Sequence, residues 1–264
     1  MEFKRIKMVY FSPTKTTKKV LESIAFGIGI DEVVDFDLTY PKATSQTIET
    51  FKDEIVIIGA PVYAGRLPVI AVERFRQLKA NNTMAILVVV YGNRAFEDAL
   101  LELKNLAIDL GFNPFAGAAF VAEHSYSTDE LPIAVGRPDS LDIEDTMKFA
   151  LKIKEKIKNL VTSQTQIDLD IPGDFPYKDA MPPNTVAPVV NESLCGECGM
   201  CIDICPTGAI FESMETDASL CIRCCACVKN CPDEARVIED IEWKAMGTRL
   251  NANCSARKKP EFFL

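Results

Sequence analysis

The chain has 264 residues, of which 48% are hydrophobic, and its 38 acidic and 29 basic side chains give a formal net charge of −9. This length accommodates one sizeable core and a small second domain, while the negative charge argues against nucleic-acid binding. No apolar run is long enough for a membrane span, and the first residues lack the apolar segment of a signal peptide, so we expect a cytoplasmic protein with reduced thiols.

The first 160 residues alternate strand and helix patterns. Short apolar runs predict strands at 6–11, 33–38, 55–60 and 83–91, and a fifth strand ends near 123–126. Amphipathic patterns predict helices between these strands and a last helix from about 141 to 161. Repeated βα units imply a doubly wound, five-stranded parallel sheet with helices on both faces.

Three unusual loops follow strands of this predicted sheet. They are Ser12-Pro-Thr-Lys-Thr-Thr17, Gly59-Ala-Pro-Val-Tyr-Ala-Gly65 and Tyr91-Gly-Asn-Arg94. Because the carboxyl ends of parallel strands meet at one edge of a sheet, the loops should converge on a ligand site. The hydroxyls and helix N-terminus of the first loop suit a phosphate, although ordinary N-capping by Thr16 or Thr17 is the alternative.

His124, the only histidine, ends the fifth predicted strand. It could donate a hydrogen bond or relay a proton beside a ligand. Alternatively, it is a loop histidine whose ring is satisfied by neighbouring groups.

Eight of the ten cysteines form two matching runs. Cys195-x2-Cys198-x2-Cys201-x3-Cys205-Pro206 is repeated about 26 residues later as Cys221-x2-Cys224-x2-Cys227-x3-Cys231-Pro232. This spacing is typical of two-cluster bacterial ferredoxins, in which the fourth cysteine of each run ligates the other [4Fe–4S] cluster. The pattern predicts two ligand sets, which are Cys195, Cys198, Cys201 and Cys231 for cluster 1 and Cys205, Cys221, Cys224 and Cys227 for cluster 2.

A disulfide scaffold and zinc ribbons are the alternatives to this iron–sulfur interpretation. Zinc sites usually pair two short cysteine steps across a longer gap, without a third and fourth cysteine in each run. Cys225 and Cys254 do not fit the ligand spacing and are predicted to be free thiols.

The predicted domains are 1–161, a proline-rich linker at 162–188, the cysteine module at 189–242 and a basic tail at 243–264. The module carries a net charge of −8 and the tail one of +4. The tail could therefore dock on the chain itself, select a partner or stay solvated. Trp243 is expected to anchor it.

The five βα units and their three loops resemble a flavodoxin domain. With the cysteine module, the whole chain resembles the flavodoxin–ferredoxin fusion proteins of anaerobes, which are iron–sulfur flavoproteins. The resemblance implies an FMN cofactor, whose phosphate would lie on the first loop and whose ring would lie between the other two. The implied FMN contacts are Ser12, Thr14, Lys15, Thr16, Thr17, Pro61, Val62, Tyr63, Ala64, Gly65, Tyr91, Gly92, Asn93, Arg94 and His124.

One position departs from the flavodoxin pattern. The phosphate loop of that family normally has glycine where this chain has Lys15. We expect Lys15 to keep a negative φ and its ammonium group to help neutralise the phosphate.

The resemblance implies an electron-transfer oxidoreductase that links one-electron carriers to a two-electron donor or acceptor through FMN and two [4Fe–4S] clusters. The expected partner is a redox protein or a small-molecule acceptor, and a homodimer is possible. The alternative is a redox-sensing or docking module whose flavodoxin-like domain binds no flavin. No Gly-x-Gly-x-x-Gly motif supports NAD(P) binding.

Overall fold

A computed structural model of the chain describes residues 3–41, 48–50, 53–160, 169–181 and 184–264. The strands in these ranges are β1 Arg5–Tyr10, β2 Glu32–Asp37, β3 Ile48–Glu49, β4 Glu54–Pro61, β5 Leu78–Lys79, β6 Thr83–Tyr91, β7 Phe112–Val121, β8 Val189–Val190, β9 Arg236–Val237 and β10 Glu261–Phe263. The helices are α1 Thr16–Ile28, α2 Val69–Phe75, α3 Ala99–Asp109, α4 Ser140–Leu160, α5 Met200–Asp203, α6 Ala226–Lys229 and α7 Ile241–Asn253.

The main sheet has six strands in the order β10-β7-β6-β4-β1-β2. Its five successive long strands are parallel and follow the flavodoxin-like order, in which the second strand lies at one edge beside the first. The predicted doubly wound parallel sheet is therefore confirmed. The sixth strand, β10, pairs antiparallel with β7 and comes from the end of the chain, where no strand was predicted.

Helices cover both faces of the sheet, as the apolar character of its central strands requires. Alternate residues of β4 face opposite layers, so Ile57 belongs to the core beneath α1 and α4, whereas Ile58 packs in the core beneath α2 and α3. Both residues are almost completely buried. A strand that is buried on both faces reads as a continuous apolar run, and this explains why β4 and β6 are recognisable in the sequence.

The fifth parallel strand ends earlier than predicted. Strand β7 stops at Val121, and residues 122–126 form a loop at the carboxyl end of the sheet. Within this loop, the His124 amide donates to the Ile133 carbonyl and the Glu123 amide to the Arg137 carbonyl. The loop therefore turns away from the sheet and brings His124 to its edge.

The cysteine module consists of two halves with matching backbone conformations. Non-helical residues with positive φ recur 26 residues apart, in the pairs Glu197 and Arg223, Gly199 and Cys225, and Gly208 and Glu234. A short antiparallel pair, β8 and β9, joins the two ends of the module. The internal repeat seen in the sequence is thus also a repeat of the backbone.

The C-terminal segment is packed against the flavodoxin-like domain along most of its length. It forms α7, crosses the carboxyl end of the sheet and ends as β10. Trp243 is buried, as expected of an anchor, and its ring lies 5.2 Å from that of Tyr126. Phe262 packs against Phe149 with ring centroids 4.9 Å apart. A solvated tail is therefore excluded.

The basic residues of this segment explain part of the docking. Arg257 forms ion pairs of 2.6 Å with Asp139 and 3.1 Å with Asp142. The Arg137 guanidinium binds the same Asp142 carboxylate and also donates to the Lys258 carbonyl. The positive charge of the segment thus meets carboxylates of the first domain rather than those of the acidic cysteine module.

The linker predicted at 162–188 is described only at 169–181 and 184–188, where it contains neither helix nor strand. Leu169 and Ile171 are nevertheless buried in the core. Within the described ranges, no helix combines the length and hydrophobicity that crossing a bilayer would require.

Candidate functional site

A cavity of 490 Å³ opens at the carboxyl ends of the parallel strands. Its volume lies within the range of small-molecule and cofactor sites. The structure brings to it residues of all three predicted loops and of the loop after β7. The predicted site residues that line it are Thr14, Thr16, Pro61, Val62, Tyr63, Ala64, Tyr91, Gly92, Arg94 and His124.

The other five predicted residues shape the loops without lining the cavity. Ser12 is buried, and its Oγ accepts a hydrogen bond of 3.2 Å from the Lys18 amide. Gly65 has φ +87°, and a Cβ built there would lie 1.8 Å from Oε2 of Glu97, so this turn requires glycine. Asn93 directs its side chain towards the C-terminal segment. Lys15 and Thr17 belong to the first loop and are considered next.

Lys15 differs from its prediction. It has φ 62° and ψ 0°, in the left-handed region, and its side chain is exposed. Its amide donates to the Ser12 carbonyl, and its own carbonyl accepts from the Lys19 amide at the start of α1. Lys15 therefore holds the N-cap position of α1 with a positive φ, and the expected negative φ is wrong.

Thr17 is buried in the first turn of α1, and its Oγ1 has no hydrogen-bond partner among the described residues. The first amides of a helix also lack partners within that helix. Thr14 and Thr16 place two further hydroxyls, 3.4 Å apart, at the same helix end. This turn therefore concentrates donors at the positive end of a helix dipole, an arrangement that suits an anion.

His124 is held as a neutral imidazole at the cavity wall. Its Nδ1 accepts a hydrogen bond of 3.0 Å from the Tyr126 amide, so the proton of the neutral ring lies on Nε2. Burial, together with the nearby charges of Arg94 and Lys229, lowers the pKa of His124 to about 4. His124 is therefore a hydrogen-bond donor at neutral pH, with one nitrogen satisfied by the backbone, and it is poorly suited to relay a proton there.

The wall opposite the loops was not predicted from sequence. It is formed by the cysteine module, by α7 and by the segment before the module, through Lys178, Met181, Ile222, Arg223, Met246, Arg249, Leu250, Asn253 and Cys254. Cys254, expected as an ordinary free thiol, is buried at this wall. The only sequence signal for this wall was the basic charge after residue 242, which suggested docking without saying where.

Asn93, in the third predicted loop after β6, binds this wall through hydrogen bonds. Its Nδ2 donates to the carbonyls of Cys254 and Ala256 at 2.6 and 2.8 Å, and its Oδ1 accepts from the Lys258 amide at 3.3 Å. The Lys258 ammonium also donates to the Arg94 carbonyl. The chain leaving α7 is therefore tied to the loop that follows β6.

The eight repeated cysteines surround two further small cavities. One is lined by Cys195, Cys198, Cys201 and Cys231, and the other by Cys205, Cys221, Cys224 and Cys227 together with Cys225. Apart from Cys225, these are the two sets that the spacing predicts. In the part of the chain that is described, no three His, Cys, Asp or Glu side chains lie close enough together to hold a metal ion.

Hydrogen bonds to sulfur are arranged alike in the two halves. The Ala209 amide donates to Cys205 Sγ and the Ala235 amide to Cys231 Sγ, both at 3.2 Å. Such donors stabilise thiolates and tune cluster potentials. Burial raises the pKa of Cys227 to about 12, so a cationic group must be bound before this thiol is a thiolate at neutral pH.

Cys225 lies beside the second set but is held differently. It occupies the left-handed position, φ 57°, that Gly199 occupies in the first half, where no cysteine is present. Its Sγ lies 3.7 Å from the Arg223 carbonyl. The repeat thus assigns Cys225 to a turn position rather than to a ligand position.

Ile222 connects the two kinds of site. This residue lines both the 490 Å³ cavity and the cavity of the second cysteine set. Its neighbour Arg223 also faces the larger cavity. The second cysteine set is therefore separated from that cavity by a single layer of side chains, whereas Cys198 of the first set is exposed.

Known families and solved structures are similar to separate parts of the chain. The 4Fe-4S binding domain family matches residues 188–211. Among solved structures, a flavodoxin from the domain Archaea is 15% identical and covers 58% of this chain and 99% of its own, with a TM-score of 0.37. Flavodoxins of Streptococcus pneumoniae TIGR4 (19% identity, 58% and 99% coverage, TM-score 0.41) and Fusobacterium nucleatum (18%, 58% and 98%, TM-score 0.42) are similar over the same part. No curated protein matches the sequence.

The sheet topology and the cysteine motif define the class. A sheet of flavodoxin-like topology and a module that matches the 4Fe-4S binding domain family at residues 188–211 are joined in one chain.

Proposed function

We propose that the chain transfers electrons between two [4Fe–4S] clusters and FMN, linking one-electron carriers to a two-electron donor or acceptor. The observation that carries this proposal is the position of Ile222, which contacts both the cavity proposed for the flavin and the cavity of the second cysteine set. The resulting order is exposed cluster 1, then cluster 2, then flavin.

The donor groups of the first loop fit the FMN phosphate. The unpartnered Thr17 Oγ1 and the first amides of α1 can donate to phosphate oxygens, and the Thr14 and Thr16 hydroxyls lie at the cavity. The apolar residues of the second loop and Tyr91 are proposed to contact the ring.

FMN would supply a carrier that holds one or two electrons, whereas each cluster passes one. The protein then has three tasks at this cavity. The phosphate loop anchors the cofactor, His124 Nε2 provides a fixed donor, and the wall formed by α7 restricts water. A two-electron partner would reach the flavin through the open mouth of the cavity.

The two cysteine sets fit two clusters. The four predicted ligands of each set line one cavity, and a backbone amide donates to a sulfur in each set. In addition, Arg236 Nη2 lies 3.3 Å from Cys201 Sγ, so a positive charge lies beside the first set. We propose these eight cysteines as the ligands.

Anaerobic purification followed by iron, sulfide and flavin analysis tests this function. We expect about eight irons per chain and about one FMN, with both flavin and iron–sulfur absorption bands. About four irons would contradict the second cluster. Two clusters without flavin would instead favour the redox-sensing or docking module. In protein that contains FMN and both clusters, stopped-flow reduction by dithionite should bleach the iron–sulfur absorbance before the flavin absorbance.

A further inference from the structure

The cavity proposed for the flavin is positively charged, in contrast to the chain as a whole. Four cationic side chains line it, Arg94, Lys178, Arg223 and Arg249, against the single carboxylate of Glu123. The formal charge of the whole chain is −9. A cleft with one sign of charge concentrates the field on whatever it binds.

Two of these cations share one carboxylate, which cancels one of their two positive charges. Arg94 lies 2.6 Å from Glu97, and the Lys178 ammonium pairs with the same carboxylate. Glu123, for its part, is engaged by Lys229 at 2.5 Å. Arg94 and Lys178 thus keep one net positive charge between them, and Arg223 and Arg249 supply two more.

Arg223 and Arg249 form no ion pair with a carboxylate among the described residues. Arg223 is fixed by its left-handed backbone, φ 54°, and by the Trp243 ring, whose centroid lies 5.2 Å from its guanidinium carbon. Its Nε is buried and has no hydrogen-bond partner in the described ranges. Arg249 comes from α7 and faces the cavity from an exposed position.

Both arginines lie outside the phosphate loop. Arg223 belongs to the loop of the second cysteine set, and Arg249 to the helix that follows the module. The anchoring of a phosphate by the first loop therefore leaves their charge free to act on the rest of a bound cofactor. A cavity that had evolved only to hold the phosphate would need no cation on this wall.

We propose that Arg223 and Arg249 form a cationic wall that favours the reduced, anionic form of FMN. This inference rests on the proposed function. Two reduced clusters, FMN and one proton give two oxidised clusters and FMNH⁻, so each cluster loses one electron and the ring gains two electrons and one negative charge. The electrons come originally from an external one-electron donor, and the proton comes from water.

The consequence is a direction for electron flow. Charge on the wall interacts more favourably with the reduced ring than with the neutral oxidised ring, so it raises the flavin potential relative to the same site without it. By linkage, the wall strengthens the binding of reduced flavin more than that of oxidised flavin. The cavity then collects pairs of electrons from the clusters.

Equilibrium redox titration of the anaerobically prepared full chain, against a reference dye and followed by flavin absorbance, tests the wall. In Arg249→Gln the ratio of reduced to oxidised flavin at a fixed potential should fall by between about 1.5-fold and fivefold, the range for a partly exposed charge. The fall should shrink at high salt. Lys244→Gln removes an exposed charge from the same helix but not from the cavity wall, and should leave the ratio unchanged. Arg249→Lys should largely restore it.

The pH dependence provides a second measurement. One proton per two electrons should be taken up in the wild type, and this number should rise towards two in the double variant Arg223→Gln/Arg249→Gln. If the flavin potential and the proton number are unchanged in Arg249→Gln and in the double variant, with FMN and both clusters retained, the proposed role of the cationic wall is wrong. Failure of the wild type to bind FMN would instead reject the proposed function.

Discussion

The Lys15→Gly substitution tests where the phosphate of FMN lies. Lys15 has the left-handed φ of 62°, which costs a non-glycine residue about 1–2 kcal/mol. The backbone hydrogen bonds of Lys15 are made to Ser12 and Lys19, within the chain itself, so we expect the strain to belong to the folded loop whether or not flavin is bound. Relief of strain should therefore appear in folding stability and not in FMN affinity.

The two effects of the substitution can be estimated separately. Glycine removes the strain but adds about 0.4–1 kcal/mol of unfolded-state entropy, so the free energy of unfolding should rise by roughly 0.5–1 kcal/mol. Loss of an exposed ammonium group near a phosphate at a helix N-terminus should cost about 0.3–1 kcal/mol of binding free energy. FMN should thus bind roughly two- to fivefold more weakly.

Isothermal titration of flavin-depleted protein with FMN and with riboflavin provides the assay, and urea unfolding gives the stability. The loss for FMN should shrink at high salt, and riboflavin, which lacks the phosphate, should be affected much less. Lys15→Asn is the matched control, because asparagine accepts the left-handed conformation while also lacking the charge. Tighter FMN binding in Lys15→Gly would show that strain acts on binding after all. Equal losses for FMN and riboflavin would refute the placement of the phosphate.

Three further predictions concern the rest of the site. Cys225→Ser should retain about eight irons because Cys225 occupies a turn position, whereas Cys224→Ser should lose roughly half of the iron. Loss of a cluster in Cys225→Ser would show that the ligand assignment is wrong. His124 has a folded pKa of about 4, below its unfolded value, so stability should fall by on the order of 2–3 kcal/mol as pH drops from about 6.5 to 4, and unfolding curves of His124→Gln should lack this decline. Asn93→Ala removes the hydrogen bonds to the C-terminal segment and leaves alanine at φ 63°. It should lower the free energy of unfolding by about 2–4 kcal/mol and accelerate hydrogen exchange at 254–264. Unchanged exchange there would contradict the anchoring role.

The sequence alone determined the elements whose signals are local. Strand β6 was predicted with its observed bounds because a strand covered on both faces is apolar throughout. The two cysteine sets that surround the small cavities were also predicted, because ligand spacing within each run is a local property and the exchange of the fourth cysteine follows from it. The three loops were found because each follows a recognisable strand.

The tertiary structure decided features that depend on distant parts of the chain. Strand β10 has only three residues, too few for a pattern, and exists because β7 offers an unpaired edge and Phe262 fits between Phe120 and Phe149. The φ of Lys15 depends on hydrogen bonds that close the turn, and residue type alone indicated the opposite sign.

The cavity wall shows the same limit most clearly. Arg223 and Arg249 are separated by over a hundred residues from the loops they face, and in sequence they are two basic residues among 29. The docking of α7, held by Asn93 and by the ion pairs of Arg257, places Arg249 at the cavity. Arg223 reaches the cavity on the loop of the second cysteine set. Local patterns could locate the cofactor loops because their geometry comes from neighbouring residues. The charge of the completed cavity arises from the packing of two domains, so it could be read only from their folded arrangement.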